Sequence, residues 1–330
     1  METARFLINK MMPFWLVVCG IAGYAVPHVF IRLAPYTIYD LAGVILLMSL
    51  TLTPAEIGPV FTRPKTLIAG FLIKWITVPL AAIVAARLVY AGQPQLAAGT
   101  ILDGATPAGV TSNLFTFLAH GAVPLAIGLT FVHTLLSPIL TPAVTALFAH
   151  KYVHVSFMAL FHQMLVIVLL PLALGVGART IIGARRIARV QPVFPMLSAL
   201  LLYCLALGLV AAAAPAIAKN LEWVPIIAVT TSVICVVNLG LAYALARGLK
   251  LAEAEARAIM FDVGIYNSGL GAVLASVNFG AFAALPALMN ALLNMIIGSM
   301  LASYLGSRPV PEPSLQPVRL DQSAPPLGAE

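Results

Sequence analysis

Long apolar segments separated by short polar connections dominate this chain. About ten of them approach the roughly 20 residues that a helix needs to cross a bilayer. Their predicted bounds are 13–33, 38–53, 67–91, 95–118, 122–148, 157–179, 195–218, 223–247, 254–276 and 280–305. The pattern predicts an all-α polytopic membrane protein, with a transmembrane domain over 1–307 and a polar, proline-rich, disordered tail over 308–330.

Composition excludes most soluble classes. Of the 330 residues, 61% are hydrophobic and 9% are charged, whereas a soluble domain carries about 25% charged residues. The three cysteines lie in apolar segments without metal-ligand spacing, so we expect no cofactor and no disulfide framework. The net charge of +7 arises from basic residues at segment ends, and we expect a lipid bilayer rather than nucleic acid as partner.

The basic residues also predict an orientation. With ten spans, 13 of the 18 Lys and Arg residues fall on the side of the amino terminus, four fall on the opposite side, and Lys74 lies within a span. The positive-inside rule then places both termini in the cytoplasm, in a cytoplasmic (inner) membrane. The oligomeric state stays open.

Two segments are interrupted at matching places. TPAG (106–109) breaks the fourth segment, and DVGIYNSG (262–269) breaks the ninth. Each interrupted segment is the fourth of the five segments in its half of the chain. This is expected for two inverted five-helix repeats with a binding site at the midplane. The alternative is that Pro and Gly are simply common in membrane helices.

Three charged residues lie well inside spans: Lys74, Asp103 and Asp262. Each would cost about 2.5–3.5 kcal/mol if it faced lipid, so we expect all three to face the protein interior. Asp262 either coordinates a cation or caps the broken helix. Asp103 either accepts hydrogen bonds from freed amides or pairs with Lys74. Lys74 is a structural counter-ion, a proton-titrating coupling residue or an anchor for a substrate anion.

Oxygen-bearing residues lie near the first break. Ser112, Asn113 and Thr130 offer hydroxyl and amide oxygens, which together with Asp262 suit a hard cation such as Na⁺. The histidines lie mostly at segment ends, and we interpret them as interfacial rather than as ligands or proton relays. They are His28, His120, His133, His150, His154 and His162.

Five motifs together resemble the bile acid:sodium symporter family, especially its bacterial members, over roughly residues 10–305. They are MSLTLTPAEIGPVFTRPK (48–65), TPAGVTSNLFTFLAHGAVPLAIGLT (106–130), LLSPILTP (135–142), FDVGIYNSGLGAVLAS (261–276) and ALPALMNALLNMIIGSMLASY (284–304). The resemblance implies inverted repeats with crossed broken helices 4 and 9, a panel of spans 1, 2, 6 and 7, and a core of spans 3–5 and 8–10. It also implies cation-coupled symport of a small organic anion, such as a bile-acid-like or pantoate-like carboxylate, by alternating access.

The same resemblance implies ion sites. Its first sodium site matches Ser112, Asn113, Thr130 and Asp262, where the family usually has Glu instead of Asp262 and Ser at the position of Ala126. At the second site, Lys74 and Tyr266 replace glutamines, while the backbone positions Val263 and Ile265 remain. We therefore expect Lys74 to stand in for a second sodium, leaving one Na⁺ or coupling to H⁺. Lys74, Asp103 and Tyr266 form this predicted coupling group.

The resemblance places the substrate anion near the crossing of the broken helices. The matching positions are Thr111, Ser112, Asn267, Ser268 and Asn294. Leu293 replaces a family His beside Asn294, which weakens any expectation specific to bile acids.

Other functions compete with symport. A cation/proton antiporter also uses broken helices with intramembrane Asp and Lys. An intramembrane enzyme would show paired acidic metal motifs or a nucleophile beside its base, and neither occurs, so we expect no enzyme. A non-transporting sensor on the same fold would have the same sequence features.

Overall fold

The computed structural model describes residues 12–51 and 64–308. Helix makes up 86% of the structure, and no strand occurs in the described ranges. Seven helices in these ranges are long and apolar enough to cross a membrane. The chain is therefore an all-helical polytopic membrane protein.

A helix or a broken helix lies at each of the ten predicted segments. The first half comprises α1 (Met12–Ala25), α2 (Thr37–Ser49), α3 (Pro64–Leu88), α4a (Pro94–Gly104), α4b (Thr111–Leu118) and α5 (Val123–Ala149). The second half comprises α6 (Phe157–Ile182), α7 (Phe194–Lys219), α8 (Trp223–Gly248), α9a (Glu253–Gly264), α9b (Ser268–Phe279) and α10 (Leu285–Gly306).

The first predicted span, 13–33, is too long. Helix α1 ends at Ala25, and Val26 leaves the helical conformation with φ −129° and ψ 56°, because the residue before a proline is disfavoured in the α region. Short helical turns over Pro27–Phe30 and Ile31–Tyr36 then lead into α2. The motif segment 52–63 and the predicted tail beyond Arg308 lie outside the described residues.

The helices pack in two groups. Helix α7 lies against α1 and α2, and α6 packs on α2. In the other group, α8 packs on α3, α9a and α10, while α4a packs on α3, α5, α9b and α10. The first part of α6 also contacts α5, so the two groups adjoin.

Large apolar side chains cover the outside of this bundle. Ile21, Leu88, Ile181, Val229 and Met300 are all more than half exposed. So many exposed apolar side chains would be unfavourable in water but suit contact with lipid tails. The protein is thus an integral membrane protein, with its buried polar groups gathered inside the helix bundle.

Candidate functional site

The two helix breaks hold each other at the centre of the molecule. The N–H of Gly109 donates to the carbonyl of Ile265 at 2.9 Å, and the N–H of Asn267 donates to the carbonyl of Pro107 at 2.8 Å. Ala108 and Tyr266 form the antiparallel bridge between these bonds. The crossing therefore pairs backbone groups that the breaks remove from the helices, as membrane depth requires.

Oxygens from three helices converge beside this crossing. Thr130 on α5 donates to Asp262 Oδ1 on α9a at 3.1 Å, and its hydroxyl lies 3.3 Å from Asn113 Oδ1 on α4b. Ser112 is fully buried, and its hydroxyl has no hydrogen-bond partner among residues 12–51 and 64–308. Ala126, also buried, adds no oxygen. Carboxylate, amide and hydroxyl groups thus come together as a small oxygen-rich cluster.

Of the two predicted backbone ligand positions, Ile265 is the better defined. Its carbonyl accepts the Gly109 N–H, which leaves one lone pair for another partner. Val263 is fully buried in the last turn of α9a, directly after Asp262. Both positions therefore lie where the helix ends against the crossing.

His133 extends the Asp262 cluster. Its Nε2 lies 2.9 Å from Asp262 Oδ2, a distance within ion-pair range, although the pair does not meet the angular requirement of a hydrogen bond. Trp75 Nε1 donates to His133 Nδ1 at 2.9 Å, and the Phe71 ring stacks on the imidazole. Because Nδ1 accepts the Trp75 N–H, Nε2 is the ring nitrogen that can carry a proton, and it is the nitrogen next to Asp262.

The interfacial interpretation was therefore wrong for His133, which is fully buried. The other five histidines are exposed. His133 lies three residues after Thr130, and residues at this spacing share a helix face. That spacing is the signal that the sequence offered for placing His133 beside the predicted ligands.

Lys74 is enclosed beside the crossing. It is 1% exposed, and its ammonium donates to the carbonyl of Thr106 at 2.8 Å, just beyond the end of α4a. The ammonium also lies 4.9 Å from the centre of the Tyr266 ring, a distance suited to a cation–π interaction. Among the described residues, no carboxylate forms an ion pair with Lys74. The Lys74–Asp103 ion pair, one of the two alternatives for Asp103, is thus not formed.

Asp103 instead contacts α9b and α10. Asn290 Nδ2 donates both to Asp103 Oδ2 and to Ser268 Oγ, each at 2.8 Å. Asp103 is 3% exposed, and its Oδ1 has no hydrogen-bond partner within the described structure. Neither the freed amides nor Lys74 is its partner. Asn290 was missed in the sequence, although it lies four residues before Asn294 on the same helix face.

A cavity of about 750 Å³ opens between the two helix groups. Apolar residues of α1, α2, α7 and α10 form most of its wall, and the two breaks form its polar end. Of the predicted substrate positions, Thr111, Asn267, Ser268 and Asn294 line it, whereas Ser112 does not. The Asn294 amide has no hydrogen-bond partner in the part of the chain that the structure describes. A mostly apolar cavity with convergent polar groups is typical of small-molecule sites.

A second cavity of about 220 Å³ adjoins the oxygen cluster. Asn113 and Thr130 line it on one side, and Gln191 lines it in the connection between α6 and α7. Asn267 lines both cavities. The crossing therefore separates a mostly apolar cavity from a smaller cavity beside the oxygen cluster.

Arg257, near the start of the predicted ninth span (254–276), joins three helix ends. It donates to Glu253 at 2.9 Å and to the carbonyl of Ala119 at 2.7 Å, and its contact with the Leu305 carbonyl is 3.1 Å. Partial burial by itself would raise the Glu253 pKa. Hydrogen bonds from Arg257 and Tyr243, together with nearby arginine charges, outweigh burial and lower the pKa below its usual value.

Comparison with known proteins decides the family. The model of the sodium bile acid symporter family matches residues 40–220, more than half of the chain. The chain belongs to this family. It is 30% identical over 294 residues to the uncharacterized sodium-dependent transporter YocS of Bacillus subtilis, covering 88% of this chain and 89% of that protein. It is 31% identical to the probable sodium/metabolite cotransporter BASS1, chloroplastic, of Arabidopsis thaliana, covering 83% of this chain and 67% of the relative.

Membership in the sodium bile acid symporter family establishes the general class. The protein belongs with sodium-dependent transporters and not with enzymes. The expected family resemblance is confirmed. The identity of the ligand residues stays a prediction, because the comparisons name no site residues.

Proposed function

We propose that the protein is a secondary active transporter that carries a small organic anion together with Na⁺ by alternating access. The arrangement at the crossing is the main support. The oxygen cluster at Asp262 adjoins one side of the paired breaks, and the polar end of the large cavity adjoins the other. Movement of one helix group against the other would carry both sites between the two faces of the membrane.

The proposed sodium site consists of Asp262, Thr130, Asn113 and Ser112, with the backbone positions Val263 and Ile265 nearby. Its oxygen donors match the preference of a hard cation. The cluster contributes a single carboxylate, so a monovalent ion balances its charge. The partnerless Ser112 hydroxyl supports the assignment, because a bound cation would give that buried oxygen a partner.

We propose that Lys74 replaces a second sodium. Its ammonium already binds the Thr106 carbonyl and lies over Tyr266. A second cation at the Thr106 carbonyl would be repelled by the positive charge of Lys74. The proposed stoichiometry is therefore one Na⁺, with a proton as the remaining candidate for coupling.

The proposed substrate is an amphipathic carboxylate. Its charged group would lie at Ser268, Asn267, Thr111 and Asn294, at the amino end of α9b, where the helix dipole favours an anion. The apolar wall would hold the carbon skeleton. Bile-acid-like and pantoate-like compounds both combine these two parts and are the first compounds to test.

The remaining architecture is proposed from the family pattern. We propose two inverted five-helix repeats, with spans 1, 2, 6 and 7 as panel and 3–5 and 8–10 as core. The packing of α7 on α1 and α2, and of α8 on α3, α9a and α10, supports this division. The 13-to-4 distribution of basic residues supports cytoplasmic termini in an inner membrane.

A thermal-shift screen of the purified protein tests this function. Pantoate and taurocholate are added in NaCl or in KCl, and we expect stabilisation that requires both the carboxylate and Na⁺. Asp262→Asn should lose the effect, whereas Asp40→Asn, a span carboxylate outside both cavities, should retain it. Uptake into proteoliposomes then separates symport from the two alternative functions. Na⁺/H⁺ exchange without a carboxylate would indicate an antiporter, and carboxylate binding without uptake would indicate a sensor.

A further inference from the structure

We propose that Asp103 is a proton-binding site that couples H⁺ to substrate binding in the large cavity. This inference rests on the proposed function for its role in transport, but the site itself is defined by the buried group of Asp103, Asn290 and Ser268. These three side chains join α4a, α10 and the first residue of α9b.

The surroundings of Asp103 provide little stabilisation for a negative charge on its carboxyl group. Asp103 is 3% exposed, accepts a side-chain hydrogen bond from Asn290 at Oδ2 and has Ser268 as its other polar side-chain neighbour, while Oδ1 has no hydrogen-bond partner among the described residues. Oδ1 faces the backbone of Gly271, where an added Cβ would lie 2.5 Å from it. A buried carboxylate needs several donors or a paired cation. A proton on Asp103 removes the charge that this environment leaves unsupported.

Few groups around Asp103 could stabilise a negative charge on its carboxylate. Helices α3, α5, α9b and α10 pack against α4a, and their titratable groups at membrane depth are Lys74 and His133. Lys74 interacts electrostatically with Asp103 but donates its hydrogen bond to a backbone carbonyl. His133 contacts Asp262 instead. Tyr266, in the break, also interacts electrostatically with Asp103, but a phenol carries no positive charge.

Asn290 connects this proton site to the cavity. Its amide nitrogen reaches Asp103 and Ser268 through two hydrogen bonds of 2.8 Å, and Ser268 lines the cavity. A substrate carboxylate hydrogen-bonded to Ser268 would thus lie within about 8 Å of Asp103, the most that three successive hydrogen bonds of about 2.8 Å can span. At an effective dielectric constant of about 20, repulsion between two charges at this distance weakens binding about 30-fold.

Protonation of Asp103 removes this repulsion, so the proton and the organic anion bind together. The proton enters with the anion and leaves Asp103 when the anion departs on the other side. No other bond is made or broken. Sodium would then act at Asp262 and the proton at Asp103, as two separate coupling ions.

Infrared spectroscopy of the purified full-length protein tests the site without any substrate. At neutral pH, we expect the wild type to show the carbonyl band of a protonated carboxylic acid. Asp103→Asn should lose that band, and Glu222→Gln, which changes an exposed carboxylate, should retain it. Asn290→Leu should shift the band, because it removes the hydrogen bond at Oδ2. A wild-type spectrum without the band, or an unchanged spectrum in Asp103→Asn, would overturn the proposal.

Transport of labelled pantoate provides the second measurement. A proton gradient should drive uptake by the wild type but not by Asp103→Asn, whereas a Na⁺ gradient should drive both. Uptake by Asp103→Asn that still follows the proton gradient would reject coupling at Asp103. Failure of both gradients to drive wild-type uptake would instead count against the proposed symport, while the infrared band would still report on the proton site.

Discussion

Replacing Lys74 with Gln should create a second sodium requirement. The ammonium of Lys74 donates to the Thr106 carbonyl at 2.8 Å and lies 4.9 Å from the centre of the Tyr266 ring. A Gln side chain removes the positive charge, can still donate to Thr106, and adds an amide oxygen. The variant therefore converts a site that repels cations into one that offers them a ligand.

Electrostatics gives the expected size of the effect. A Na⁺ bound at this end of α4a would lie about 4 Å from the ammonium. At an effective dielectric constant of about 20, the repulsion is about 4 kcal/mol, which lowers occupancy about 1,000-fold. Removing the charge should bring the second site from negligible occupancy into a measurable range of Na⁺ concentration.

The assay is stabilisation or uptake measured against Na⁺ concentration. We expect a Hill coefficient near one for the wild type and a rise toward two in Lys74→Gln. Lys74→Met is the matched control: it also removes the charge but offers no oxygen, so its coefficient should stay near one. A wild type that already shows a coefficient of two would refute the assignment of Lys74 as a built-in cation.

Five further variants, at four residues, address the packing and charges around the crossing and at the start of α9a. Asp262→Asn should abolish stabilisation by Na⁺ in a thermal-shift assay, a loss of about 2.7 kcal/mol if Na⁺ is present at about 100 times its dissociation constant. His133→Leu should weaken Na⁺ affinity about 10-fold, whereas His133→Gln, which keeps an N–H donor, should lose less. Gly271→Ala should destabilise the fold by about 1–3 kcal/mol, because its Cβ would meet Asp103. Glu253→Gln should lower thermal stability at neutral pH, and the difference from wild type should shrink as the pH falls.

For each of these predictions, one result would contradict the reasoning. Retained Na⁺ stabilisation in Asp262→Asn would remove this residue from the ion site, and equal affinities for the two His133 variants would reduce its role to packing. Gly240→Ala is the control for Gly271→Ala, since its Cβ has no neighbour within 4 Å; equal effects would rule out a specific clash. For Glu253, the folded-state pKa lies below its usual value, so its stabilisation exists above the unfolded pKa and is lost as pH falls. A constant difference between pH 7 and about 4 would contradict this linkage.

The positions of the two helix breaks could be predicted from the sequence. Pro107 lacks the N–H that would continue α4a, and Gly109 allows the backbones to approach, since an added Cβ would lie 3.1 Å from the Tyr266 carbonyl oxygen. Both effects are local to the chain. For this reason, the interruption at 106–109 is found where it was expected, between α4a and α4b.

The partners of the buried charges depend on packing between distant helices, which no local pattern records. Lys74 has a long side chain, and its ammonium extends to the Thr106 carbonyl instead of stopping at Asp103. Asp103 receives its donor from Asn290, 187 positions away. His133 looked like an interfacial residue because its burial depends on Phe71 and other residues of α3.

Lys74 interacts with both proposed ion sites. Its ammonium interacts electrostatically with both Asp262 and Asp103, although it forms an ion pair with neither in the described structure. A cation at Asp262 neutralises one of these carboxylates, and a proton on Asp103 neutralises the other. Each binding event therefore changes the charge that Lys74 experiences, and thermodynamic linkage requires the influence to act in both directions. With Na⁺ at Asp262 and H⁺ at Asp103 as proposed, the Lys74 ammonium would make the two affinities depend on each other.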